Sequence, residues 1–84
     1  MRLREILALN LRRLRHAQGL SQEELADHAE IDRSYVSALE RSVYAAGIDV
    51  VERLARALGV EAADLLRAPP SPQSDGKRGR QRDR

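Results

Sequence analysis

The stretch Leu20-Ser21-Gln22-Glu23-Glu24-Leu25-Ala26-Asp27-His28-Ala29-Glu30-Ile31-Asp32-Arg33-Ser34-Tyr35-Val36-Ser37-Ala38-Leu39-Glu40-Arg41 contains two helix starts in close succession. Ser21 stands three residues before Glu24, the spacing of a capping box. In that arrangement the serine hydroxyl accepts from the Glu24 amide and the Glu24 carboxylate accepts from the Ser21 amide. Leu20 and Leu25 occupy the positions of a hydrophobic staple, which fixes the angle at which the chain enters the helix. That helix ends near Ala29. Asp32 then offers a second N-cap, flanked by Ile31 and Val36 at staple spacing, and the helical pattern resumes through Arg41. Two short helices joined by so tight a turn must cross steeply.

Working outward, Leu3, Ile6, Leu7, Leu11 and Leu14 recur at helical spacing and the pattern stops near Gly19, which predicts a helix over 3–18. Beyond the loop 42–47, Ile48, Val51, Leu54, Ala55 and Leu58 form the stripe of a fourth helix closed by Gly59, and a fifth, 61–67, carries Ala62, Leu65 and Leu66. There is no internal repeat and no strand pattern. Phe and Trp are absent and Tyr35 and Tyr44 are the only aromatics, so the core must be aliphatic. The expectation is an all-α fold of five helices around one core, because strands favour the aromatics this chain lacks. At 84 residues the chain has room for one domain, assigned to 1–67. The remainder, 68–84, holds all three prolines and no large apolar residue, and is expected to be a disordered basic tail.

Cysteine is absent, which excludes disulfides, thiolate metal sites and a cysteine nucleophile and suits a reducing, cytoplasmic compartment. No apolar run approaches the roughly 20 residues of a membrane span. His16 and His28 lie on different helices with no clustered ligand set, and no glycine-rich phosphate loop is present. Neither an enzyme, a metal, a cofactor nor a small-molecule ligand is therefore expected. The formal net charge is +2, yet residues 68–84 hold five basic side chains against two acidic, leaving −1 for residues 1–67. An argument for an anionic partner must then rest on where individual arginines sit. On a helical wheel, residues 33–41 place Tyr35, Val36 and Leu39 on one side and Arg33, Ser34, Ser37, Ala38 and Arg41 on the other. The second face is short-chained and polar with an arginine at each end. Such a face lies close in a major groove while arginine pairs bidentately with guanine, although a plain solvated surface accounts for it equally well.

Leu20 to Ala26 followed by Ile31 to Arg41, together with Val51-Glu52-Arg53-Leu54-Ala55-Arg56-Ala57-Leu58-Gly59-Val60, closely resembles the Cro/phage-repressor (XRE-like) helix-turn-helix family. The likeness runs from about Leu11 to Leu66, with the motif at 21–41 and the recognition helix at about 32–41. It implies a lambda-repressor-like fold and a transcription regulator that binds double-stranded DNA at a palindromic operator as a homodimer, through helices four and five. Carried onto this sequence, the resemblance makes Gln22 a contact to the DNA backbone and Arg33, Ser34 and Ser37 the base-reading positions, Ser34 fitting a backbone contact as well. Tyr35 either packs or extends its hydroxyl to a phosphate. Arg41 grips the backbone, and Arg15 and Glu40 correspond to a partly buried structural ion pair.

The chain departs from many relatives after Arg41. Where they carry Gly and then a basic or Asn-Pro stretch, it has Ser42-Val43-Tyr44-Ala45-Ala46-Gly47, which leaves the loop's usual phosphate contacts open. Tyr44 is a candidate hydroxyl donor in their place, and the basic tail is either a sequence-independent electrostatic grip or an inert solubilising extension. Within the family, Ile31 to Arg41 looks particularly like the controller proteins of restriction-modification systems, which stand alone and regulate their own promoters. The alternative is an antitoxin-like module that uses the same fold to bind a protein partner. The resemblance implies a bacterial, nucleoid-associated location.

Overall fold

The computed structural model describes residues 2–69, arranged as five helices with no strand among them. They are α1 (Leu3–Ala17), α2 (Gln22–Ala29), α3 (Arg33–Glu40), α4 (Ile48–Leu58) and α5 (Ala62–Leu66). The chain is all-α. The region 68–84 that the sequence assigns to a disordered tail lies, from residue 70 onward, outside the described residues.

Each boundary has a local cause. At α2 both halves of the capping box form: the Glu24 amide donates to Ser21 Oγ at 3.0 Å, and the Ser21 amide donates to Glu24 Oε1 at 2.8 Å. Gly19 and Gly59 adopt φ +69° and +72°, a left-handed turn that glycine makes without a Cβ penalty, and these turns end α1 and α4. Asp32 precedes α3 with the extended backbone of an N-cap, but its carboxylate makes no capping hydrogen bond. What holds the entry to α3 is apolar, since Ile31 packs against the core that contains the fully buried Val36.

The core is aliphatic throughout. Leu7 and Leu11 of α1, Leu25, Ala26 and Ala29 of α2, Val36 and Leu39 of α3, Val51, Leu54, Ala55 and Leu58 of α4, and Leu65 of α5 form one buried cluster. α2 packs on α3 and α4, α1 on α3 and α5, and α4 on α5. α5 has only five residues and is held by more than its one core leucine. Asn10 of α1, fully buried, donates from Nδ2 to the carbonyls of Leu65 at 2.8 Å and Arg67 at 2.9 Å. These carbonyls lie at the end of a helix, where no following turn supplies a donor. Arg13 completes the set by donating to Asn10 Oδ1 at 3.1 Å.

Two residues of the helical stripes are left exposed to solvent. Leu3 is 56% exposed and Ile48 is 84% exposed. Each is the first residue of its helix, where the apolar stripe runs past the last neighbour that could cover it. With the half-buried Ala46 and Leu66 they leave an apolar groove whose floor includes Leu7 and Val51.

Candidate nucleic-acid interface

α3 presents two unlike faces. Val36, Leu39 and Glu40 are buried, while Arg33 and Ser34 are exposed and Ser37 and Ala38 half-buried on the other side. Arg41, the C-cap, is exposed and donates from Nε to the Ser37 carbonyl at 3.3 Å. The free face thus carries a guanidinium at each end with short side chains between, and the exposed Asp32 borders it beside Ser34 and Ala38. Tyr35 lies at its margin, half-buried, with its ring edge-on to Tyr44 at a centroid distance of 5.2 Å and an interplanar angle of 73°. That geometry suits the ring quadrupoles and fixes both rings beside the exposed face.

Behind that face is a polar cluster centred on Glu40. Arg15 binds its carboxylate bidentately, Nε to Oε2 at 2.7 Å and Nη2 to Oε1 at 3.0 Å, and both side chains are nearly inaccessible. The same guanidinium donates from Nη1 to the Leu20 carbonyl at 2.9 Å, so one side chain ties α1 to the turn before α2 and to α3. Gln22, the first residue of α2, donates from Nε2 to Glu40 Oε1 at 3.1 Å. Burial works against the charge on Glu40, but hydrogen bonds from Arg15 and Gln22 outweigh it and hold the carboxyl below its ordinary value of 4.5.

The structure therefore brings Arg15, Gln22 and Glu40 into one cluster, with Arg41 next along the chain. It sets Arg33, Ser34 and Ser37 on a single surface and holds Tyr35 to one side of it. Sequence reasoning missed two residues. Arg12, exposed on α1, donates from Nη1 to the Glu40 carbonyl oxygen at 2.6 Å, and its position three residues before Arg15 was the available signal. Asn10 was legible as a polar residue inside an apolar stripe. Among the described residues no group of three His, Asp or Glu side chains could hold a metal ion, and no helix is long and apolar enough to cross a membrane.

Two short helices joined by a tight turn, the second presenting a polar face above a buried Arg–Glu pair, define a helix-turn-helix motif. The chain belongs to the helix-turn-helix family, whose pattern matches residues 11–65. It is 48% identical over 67 residues to a hypothetical transcription factor of Neisseria meningitidis serogroup B, covering 80% of this chain and 63% of that protein. The chain thus spans less than two thirds of that relative's length. A crystal structure of a hypothetical Neisseria transcription factor superposes with a TM-score of 0.79 at 47% identity, over 81% of this chain and 78% of the other. The restriction-modification controller protein C.AhdI from Aeromonas hydrophila matches at 40% identity and a TM-score of 0.72, over 74% of this chain and 94% of its own. The controller C.Esp1396I, solved as a tetramer with its natural 35 base-pair operator, matches at 26% identity and a TM-score of 0.71, covering 77% of this chain and 86% of that one.

Proposed function

We propose that this chain is a sequence-specific regulator of transcription that binds a palindromic double-stranded DNA operator as a homodimer and acts by binding rather than catalysis. The observation that carries the reading is the free face of α3, where Arg33 and Arg41 bracket Ser34, Ser37 and Ala38 with no acidic side chain among them. Small residues let the helix lie close to base edges, and Arg33 at its N-terminal end reads guanine through O6 and N7. Ser34 and Ser37 complete the reading surface. Gln22 and Arg41 hold the flanking phosphates, with Tyr35 at the edge of the same surface.

One recognition helix covers too few base pairs for useful specificity, and two related by a dyad double the site. The apolar groove supports this role, because a patch with Ile48 almost fully exposed asks for a covering surface. We place the dimer contact there, on α4 and α5 with the first turn of α1. Residues 1–67 then form the reading domain, and the basic side chains from Lys77 to Arg84 add sequence-independent attraction to phosphate. The chain would work in the bacterial cytoplasm on nucleoid DNA in the manner of a controller protein, its own concentration setting occupancy.

Selection from a randomised duplex pool at physiological salt tests the reading. Wild type should enrich a palindrome with half-site centres about one helical turn apart. Arg33→Ala should lose preference at one position in each half-site, worth about 1–3 kcal/mol there. Enrichment of no motif by the wild type would refute the proposal and give the lead to a protein partner.

A further inference from the structure

We infer that Arg12 is a further phosphate contact, set on the DNA side of the molecule by its bond to the end of α3. This rests on the DNA-binding reading above and adds to it a residue outside the helix-turn-helix motif. Three side chains bond Glu40: Arg15 and Gln22 on its carboxylate and Arg12 on its carbonyl oxygen, with Arg41 next in sequence. Gln22 and Arg41 are the residues assigned to the DNA backbone; Arg12 shares its anchoring residue with Gln22, and that residue directly precedes Arg41, whose side chain bonds the Ser37 carbonyl.

Arg12 is also suited to an anion by what it lacks. Its bonded acceptor is a neutral carbonyl, and among the described residues it forms no ion pair with a carboxylate. A guanidinium has five N–H donors, so one bond to Glu40 leaves donors for a phosphate. Arg15, on the same face of α1, is by contrast buried and committed to Glu40. Of these two arginines, Arg15 holds α3 in place and Arg12 extends the positive surface that α3 presents.

The competing role for Arg12 is to cap α3 by satisfying a terminal carbonyl, with no part in binding. Salt dependence separates the two, since each phosphate neutralised contributes about 0.9 to the slope of log affinity against log salt. Affinity of the full-length wild type, Arg12→Ala and Arg12→Lys would be measured across a salt series. The probes are the duplex the wild type selects from the random pool and a shuffled duplex of the same composition. Thermal unfolding in parallel reports any loss of fold. The expected result for Arg12→Ala is a slope shallower by about one unit and roughly an eightfold weaker affinity at about 0.1 M salt, equal on both duplexes, with Arg12→Lys restoring the slope. A wild-type slope for Arg12→Ala, with or without a lower unfolding temperature, would overturn the inference while leaving the regulator reading intact. Failure of the wild type to select any duplex would instead bring down the regulator reading itself.

Discussion

Ser42 sits at φ +61°, in the left-handed region, at the position where many relatives of this family have glycine. A residue with a Cβ is strained there by roughly 1–2 kcal/mol, part of which glycine returns through its greater freedom in the unfolded chain. Ser42→Gly should therefore raise stability by about 0.5–1 kcal/mol in denaturant unfolding. Glu40 carries a second prediction at this scale. Its folded carboxyl titrates below its ordinary value of 4.5, so the stability it contributes is whole above that pH and is lost as pH falls through the folded value. Stability measured against pH should drop below about pH 4.5 in the wild type and more gently in Glu40→Gln. That variant should be less stable at neutral pH by about 3–5 kcal/mol, because it leaves Arg15 buried without its counter-charge. The free face of α3 was legible from sequence because a helix of known phase sorts its own residues. For Arg12 the sequence shows only its place three residues before Arg15, since its acceptor lies 28 residues away and only the fold brings the two together.

Among the elements, α5 depends most on the rest of the molecule. Five residues cannot sustain a helix alone, and its tether is the buried amide of Asn10, more than fifty residues earlier in the chain. Asn10→Ala leaves the last carbonyls of α5 without a donor and should cost about 2–3 kcal/mol. In hydrogen exchange the loss should appear first at α5 and the end of α4, well before the centre of α2 or α3. Helix boundaries followed closely from caps and glycines, as Ser21 with Glu24 and the turns at Gly19 and Gly59 show. Which stripe residues reach the core did not, because periodicity fixes a direction from the helix axis and not whether a neighbour stands there. Leu3 and Ile48 continue their stripes correctly and meet solvent.

For the whole molecule, the same two residues mark the groove proposed as the dimer contact. Ile48→Asp should fold normally, the side chain being 84% exposed, yet sediment as a monomer under conditions where the wild type is expected to sediment as a dimer. Its operator affinity should fall by at least about a hundredfold, as each half-site must then be bound without the other. The order of unfolding temperatures should show no comparable drop, which separates loss of assembly from loss of fold.

The side chains around Glu40 are already fixed in the free protein: Arg15 by four bonds, Gln22 and Arg12 by one each. Immobilising a long side chain at an interface costs about 0.5–1.5 kcal/mol in lost rotamer freedom. Here that entropy is given up when the chain folds, with α1, α2 and α3 as the frame. A duplex docking on α3 meets groups that have little freedom left to lose, so this corner of the surface is rigid before its partner arrives.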